Sequence, residues 1–222
     1  MQVLILCGGR GTRLNGERPK PLVEIGGKPI VWHVMSIYAA QGFDDFVLLT
    51  GYQGEEIAAW AAGVEWAVEC VDTGVDTPTG GRVHAVRDRV RETFYLTYAD
   101  GVADIDLRAL VAHHRATGAL ATMTVVRPEL PFGVAELYDG GRVRAFREKP
   151  VAEQWVNGGF FVLEPAALDY LGPDSVLERE PLERLAADGV LAAYRHAGFW
   201  RCLDTAKDAI ALEDAGPSRW LA

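Results

Sequence analysis

Cysteine is scarce in this chain. Only three of its 222 residues are cysteine. Cys7, Cys70 and Cys202 are too few and too scattered for a disulfide framework or a paired-cysteine metal site, which argues for a reducing, cytoplasmic setting. Long apolar runs are missing as well, so no bilayer-spanning segment is expected. The chain enters a strand-like segment at once, without the basic start and cleavable apolar region of a signal peptide. Basic charge is in the minority: 22 Lys and Arg against 31 Asp and Glu give a formal net charge of −9. A nucleic-acid partner is therefore disfavoured, because affinity there comes from neutralising phosphates. With no internal repeat, low-complexity stretch or linker, residues 1–222 read as one domain.

What is present is a regular alternation of strand and helix patterns. "VLIL" (3–6) reads as a buried strand, "PIVWHVMSIYAAQG" (29–42) as a helix with Pro29 in its first turn and Gly42 as its stop. "DFVLLTG" (45–51), "WAVECV" (66–71), "TFYLTYADG" (93–101) and "LATMTVV" (120–126) read as further strands. Helices are expected between them over 53–63, 80–90 and 106–118, with Asp104 and Asp106 as caps of the last. Continuous apolar strands separated by amphipathic helices predict an α/β fold: a Rossmann-like, mostly parallel central sheet flanked by helices. "VAELYDGGRVRAFRE" (134–148) alternates instead and contains a turn-forming "DGG", which predicts a small antiparallel excursion in the C-terminal half. "GGFFVLEP" (158–165) is a later strand.

The most informative stretch follows the first strand: "CGGRGTRLNGERPKP", Cys7 to Pro21. It gathers Arg10, Arg13, Arg18 and Lys20 around glycines, with Glu17 as its only acid. In an acidic chain this local basic loop predicts a small anionic ligand. Two familiar phosphate loops do not fit. A dinucleotide loop needs a third glycine where Leu14 stands and an acid closing the second strand, which instead ends "LLTGYQG". A P-loop needs Gly-Lys-Ser/Thr entering a helix, and none is there.

The loop does resemble the signature of the sugar-1-phosphate nucleotidyltransferases, G-G-x-G-T-R-L followed by P-K-P. The resemblance runs on through "VDTGVDTPTGGRV", "TYADGVADID", "REKP", "VNGGFFVLEP", "EREPLERLAADGVL" and "GFWRCLDT", in an order similar to that of glucose-1-phosphate cytidylyltransferases. It implies a GT-A-like nucleotidyltransferase fold. It also implies magnesium-dependent transfer of a nucleotidyl group from a nucleoside triphosphate, CTP favoured, to a sugar 1-phosphate, glucose 1-phosphate favoured, and a homo-oligomer. By the same resemblance, Arg13 faces the leaving phosphates and Lys20 the α-phosphate. Leu6, Gly8, Gly9, Gly11, Thr12, Thr79, Gly80, Gly81 and Arg82 bind the nucleotide. Arg82 either meets the base or is a solvent-exposed residue at a helix start. Asp100 and Asp204 hold the metal. Glu148, Lys149, Asn157, Gly158 and Gly159 hold the sugar phosphate. Trp32, His33 and Met35 read as core or subunit contacts, the adjacent His113 and His114 as no metal pair, and Cys7 as a small buried residue. A guanylyltransferase, an enzyme for another sugar or cyclitol phosphate, and a non-catalytic nucleotide-sugar sensor stay open as alternatives.

Overall fold

The computed structural model describes residues 1–11 and 18–221. Numbered in chain order, the first half contains β1 (Val3–Leu6), β2 (Glu24–Ile25), β3 (Lys28–Pro29), α1 (Ile30–Ala39), β4 (Asp45–Thr50), α2 (Gly54–Ala61), β5 (Ala67–Asp72) and α3 (Thr79–Ala85). There follow β6 (Phe94–Tyr98), β7 (Gly101–Ala103), α4 (Leu107–Thr117), β8 (Ala121–Val126), β9 (Val134–Leu137) and β10 (Val143–Arg147). The chain closes with β11 (Val156–Leu163), α5 (Glu180–Ala187), β12 (Leu191–Arg195), β13 (Trp200–Cys202) and α6 (Ala206–Ala215).

The main sheet has seven strands in the order β12-β8-β11-β6-β1-β4-β5. β11 alone runs against its neighbours β8 and β6; the pairs β12–β8, β6–β1, β1–β4 and β4–β5 are parallel. The sheet is thus mostly parallel and covered on both faces, as the apolar runs require. Alternate residues of β1 divide between two cores. Val3 and Ile5 join α1, α2, α4 and α6 on one face. Leu4 and Leu6 join α3 and α5 on the other. Each such side chain contributes roughly 1.5–3 kcal/mol on burial, so the strand behind the glycine loop is held from both sides. Trp32 packs on Trp66, while His33 and Met35 are buried in the first core. Cys7 is buried too. The antiparallel excursion is the β9–β10 hairpin, whose turn places both Gly140 and Gly141 in the left-handed region.

Three local expectations change. Pro29 caps α1 from outside its first turn, and the helix ends at Ala39, three residues before the left-handed Gly42. The single strand expected over 93–101 breaks after Tyr98. Its continuation, β7, leaves the main sheet to pair antiparallel with β13. Asp106 caps α4, accepting from the Ala109 N–H at 2.8 Å, but Asp104 does not. Its carboxylate lies 3.0 Å from His196 Nε2 instead. His114 is buried, with its ring on Thr122 and Glu164. Among the described residues no helix is long and apolar enough to cross a membrane.

Removing the cap gives a direct test of this local account. Asp106→Ala should cost about 1 kcal/mol, a drop in Tm of roughly 2–4 °C for a chain of this size, read by thermal denaturation. An unchanged Tm would mean that tertiary packing alone sets where α4 begins.

Candidate active site

The glycine loop is positioned by a buried arginine. Arg82, on α3, is 4% exposed. Its Nη1 donates to Thr50 O at 2.8 Å, Thr73 Oγ1 at 2.7 Å and Gly74 O at 2.8 Å. Its Nη2 donates to Gly8 O at 2.9 Å and Val75 O at 3.2 Å. One guanidinium therefore holds together the chain leaving β1, β4 and β5. Gly8 and Gly51 must be glycine here, because a Cβ at either would run into that guanidinium. Of the two sequence expectations for Arg82, the solvent-exposed one does not hold.

Lys20 is brought under this loop by the short turn Lys20–Leu22, and its Cβ lies against Gly11, whose φ is +56°. Lys20 Nζ stands 2.5 Å from Asp100 Oδ2 and 2.8 Å from Asp204 Oδ1. The β7–β13 pairing makes this meeting possible: the Leu203 N–H donates to the Asp100 carbonyl at 2.8 Å. Asp204 is then fixed by the start of α6. There Thr205 and Asp208 form a reciprocal cap, and the Asp208 carboxylate also accepts from the Asp204 N–H at 3.1 Å. Burial alone would lower the pKa of the Lys20 ammonium, but Asp100 and Asp204 outweigh it and raise it. Burial pushes the Asp100 carboxyl up, with Lys20 acting against it.

Two cavities meet at this point. One, of about 430 Å³, is lined by Leu6, Gly8, Gly9, Gly11, Thr79 and Arg82, together with Lys20 and the two carboxylates. The other, of about 380 Å³, is lined by Asn157, Gly158, Gly159, Glu178, Trp200 and Cys202. Tyr98, Asp100 and Asp204 belong to both. Gly159, with φ of +83°, lies so close to Tyr98 that a Cβ would come within 2.8 Å of the ring. Trp200 Nε1 donates to Gly158 O at 2.8 Å, holding the end of β11 against β13. The Cys202 thiol is pushed up to about 12 by burial and by the charges of Asp204 and Asp100, so it is no ready nucleophile.

Several expected residues lie elsewhere. Gly80 and Gly81 line neither cavity; they let α3 pack against Pro173 and Ser175, where a Cβ would clash. Glu148 and Lys149 are exposed at the end of the hairpin and also line neither cavity. Lys149 does hold a left-handed φ of +45°, rare for a side chain of this kind. Thr12 and Arg13 lie outside the described residues. Sequence reasoning assigned no role to Tyr98, Glu178 or Trp200. For Tyr98 a signal existed, since it stands two residues before Asp100.

An α/β sheet with a glycine loop beyond its first strand, a lysine beneath that loop and two carboxylates facing the lysine defines a nucleotide-handling transferase. The chain belongs to the nucleotidyl transferase family, which it matches over residues 2–197. It is 41% identical to the glucose-1-phosphate cytidylyltransferase of Salmonella typhi, over 99% of this chain and 98% of that one. It is 31% identical to the mannose-1-phosphate guanyltransferase of Schizosaccharomyces pombe, over 94% of this chain and 62% of that one. In fold it is similar to HddC from Yersinia pseudotuberculosis, solved with GMP-PN. That likeness has a TM-score of 0.76 at 20% identity and covers 96% of this chain and 98% of that one.

The Arg82 arrangement predicts a large cost for its loss. Arg82→Met removes a donor from four backbone carbonyls, of which Gly8 and Thr50 keep the N–H groups of Tyr52 and Thr73, and should destabilise the fold by about 2 kcal/mol or more. Urea denaturation measures it. A midpoint within error of wild type would mean that water replaces the guanidinium at no cost.

Proposed function

We propose that this protein transfers a nucleotidyl group from a nucleoside triphosphate, CTP for preference, to a sugar 1-phosphate, glucose 1-phosphate for preference, giving an NDP-sugar and pyrophosphate. The observation that carries the reading is the junction: two cavities share one pair of carboxylates, with the Lys20 ammonium between them. The choice of CTP and glucose 1-phosphate draws its support from the Salmonella relative, matched over nearly the full length of both chains.

In this reading an anionic phosphate oxygen of the acceptor attacks the α-phosphorus. A new phosphorus–oxygen bond forms, the bond to the bridging oxygen breaks, and the electron pair leaves with pyrophosphate. The attacking oxygen carries no proton, so no general base is needed. The work of the site is alignment and charge neutralisation. Backbone N–H groups of the loop at 8, 9 and 11 approach the triphosphate without interfering side chains. Lys20 sits where charge grows on the α-phosphate oxygens. Arg13, by the motif, neutralises the leaving phosphates. In the second cavity Asn157 and the backbone at Gly158 and Gly159 hold the sugar's hydroxyls. Lys149, beyond the hairpin, is the candidate for its phosphate.

The donor set also suits a divalent cation. Asp100 and Asp204 converge on one positive centre, and among the described residues no third His, Cys, Asp or Glu joins them in a metal cluster. Two carboxylates, with the remaining ligands from phosphate and water, is the usual provision for magnesium. Bound there, magnesium offsets the negative charge of the α- and β-phosphates.

Pyrophosphate release, crossing CTP, GTP, UTP, ATP and dTTP against glucose 1-phosphate and other sugar phosphates with magnesium, tests the reaction. Release should be fastest with CTP and glucose 1-phosphate; another best pair would move the specificity, and none at all from folded protein would end the reading. Lys20→Ala should lower kcat about 100-fold or more while shifting nucleotide KM far less. A pure loss of nucleotide affinity would make Lys20 a ground-state binder. Asp204→Asn should leave the fold intact and raise the magnesium needed for half-maximal rate. Wild-type behaviour at limiting magnesium would remove Asp204 from the metal site.

A further inference from the structure

We propose that Glu178 is a positioning residue that couples the nucleotide cavity to the sugar cavity, holding α3 and the Tyr98–Asn157 pair in register through its two carboxylate oxygens. The inference rests on the transfer reaction proposed above and extends it to a residue to which the motifs assign no role.

Glu178 Oε1 accepts from the Tyr98 hydroxyl at 2.5 Å, and Oε2 accepts from the Thr79 hydroxyl at 2.7 Å. The two partners reach the cleft differently, Tyr98 lining both cavities and Thr79 one. Thr79 is the first residue of α3 and lines only the nucleotide cavity. Tyr98 leads to the sugar cavity: Asn157 Nδ2 donates to its hydroxyl at 3.3 Å, and Asn157 Oδ1 accepts from the Gly159 N–H at 2.8 Å. The segment carrying Glu178 is itself docked on α3. The Leu177 N–H donates to Thr79 Oγ1 at 2.9 Å, and the Gly81 N–H to Ser175 O at 3.0 Å. That docking needs Gly80 and Gly81, whose missing side chains admit Ser175 and Pro173. From Gly159 to Thr79 the hydrogen bonds are continuous, and three residues along α3 Arg82 ties the same helix to the Gly8 carbonyl.

The chemistry at position 178 is specific. Tyr98 and Thr79 each already accept a hydrogen bond, from Asn157 and from the Leu177 N–H, so each needs an acceptor for its own proton. A carboxylate offers two oxygens on one rigid plane and serves both. Glutamine can imitate half of the arrangement directly, its oxygen accepting from Tyr98 and its amide donating to the free lone pair of Thr79. Alanine imitates none of it.

Steady-state kinetics in both substrates tests the coupling, using whichever pair the wild-type protein turns over best. Glu178→Ala should raise the KM of both nucleotide and acceptor about tenfold. Tyr98→Phe should raise acceptor KM more than nucleotide KM, and Thr79→Val nucleotide KM alone. Glu178→Gln should bring both values back to within about threefold of wild type. If Glu178→Ala moves one KM only, or neither, or if glutamine is no better than alanine, the coupling role is overturned. Should Glu178→Ala fail to fold by thermal denaturation, the separate effects of Tyr98→Phe and Thr79→Val, together with the glutamine variant, decide it. A wild-type protein that turns over no pair sinks the transfer reading by itself. The link is then read by calorimetry as CTP affinity lost in Glu178→Ala and regained in Glu178→Gln, and equal affinities in the three proteins overturn it.

Discussion

The ends of three parallel strands meet at one buried guanidinium. Arg82 gives hydrogen bonds to carbonyls at or beyond the ends of β1, β4 and β5, adding one shared donor to the N–H groups of Tyr52 and Thr73 that also reach the first two. A buried cation surrounded by carbonyl dipoles is costly if any one of them moves away. The backbone at Gly8 therefore takes its course from the sheet rather than from the local sequence alone. Glycine at 8 and 51 is the steric condition for this arrangement. Lys20, reaching up beneath Gly11, meets a loop whose backbone is already in place.

The two halves of the site are built by different means. The cavity beside the glycine loop uses the usual geometry of a parallel sheet, beyond the carboxyl ends of the strands. The second cavity depends on the one reversed strand. β11 enters the sheet from the end at which β6 leaves it, so its first residues, Val156 to Gly159, lie beside Tyr98 at the mouth of the cleft. Reversal thus places Asn157 and the glycines at the mouth of the cleft, where a seventh strand of the same direction would have placed its far end. The β7–β13 ribbon then adds the second carboxylate from the C-terminal part of the chain.

Much of this was legible in the sequence, for identifiable reasons. Continuous apolar runs such as "VLIL" and "DFVLLT" have few stable homes other than a sheet covered on both faces, and they marked the parallel strands. Lys20, Asp100 and Asp204 stood out because each occupies a motif. Direction is not written in an apolar run, so the reversal of β11 could not be read. Nor could the break after Tyr98, since both sides of it are apolar and buried. Arg82 was visible but its orientation was not, because its burial depends on carbonyls supplied by separate segments, two of them 32 and 74 residues away. Glu178 opens "EREPLERL", a stretch noted only for its resemblance, and an acid there, in a chain rich in acids, looks like a solvated helix start. Its role exists only because Thr79 and Tyr98, 99 and 80 residues away, both turn a hydroxyl toward it.

The ion pairs of Lys20 span 80 residues to Asp100 and 184 to Asp204. That separation has a consequence for the chain as it is made. Synthesis runs from the N-terminus, so the glycine loop, Arg82 and the first carboxylate all emerge while β13 and α6 are still to come. A nascent chain at that stage carries the strands on which the nucleotide loop rests but only half of the charge pair that faces Lys20. The chemistry at the junction is assembled last, so an interrupted product keeps the pocket's framework without the second carboxylate on which turnover would rest.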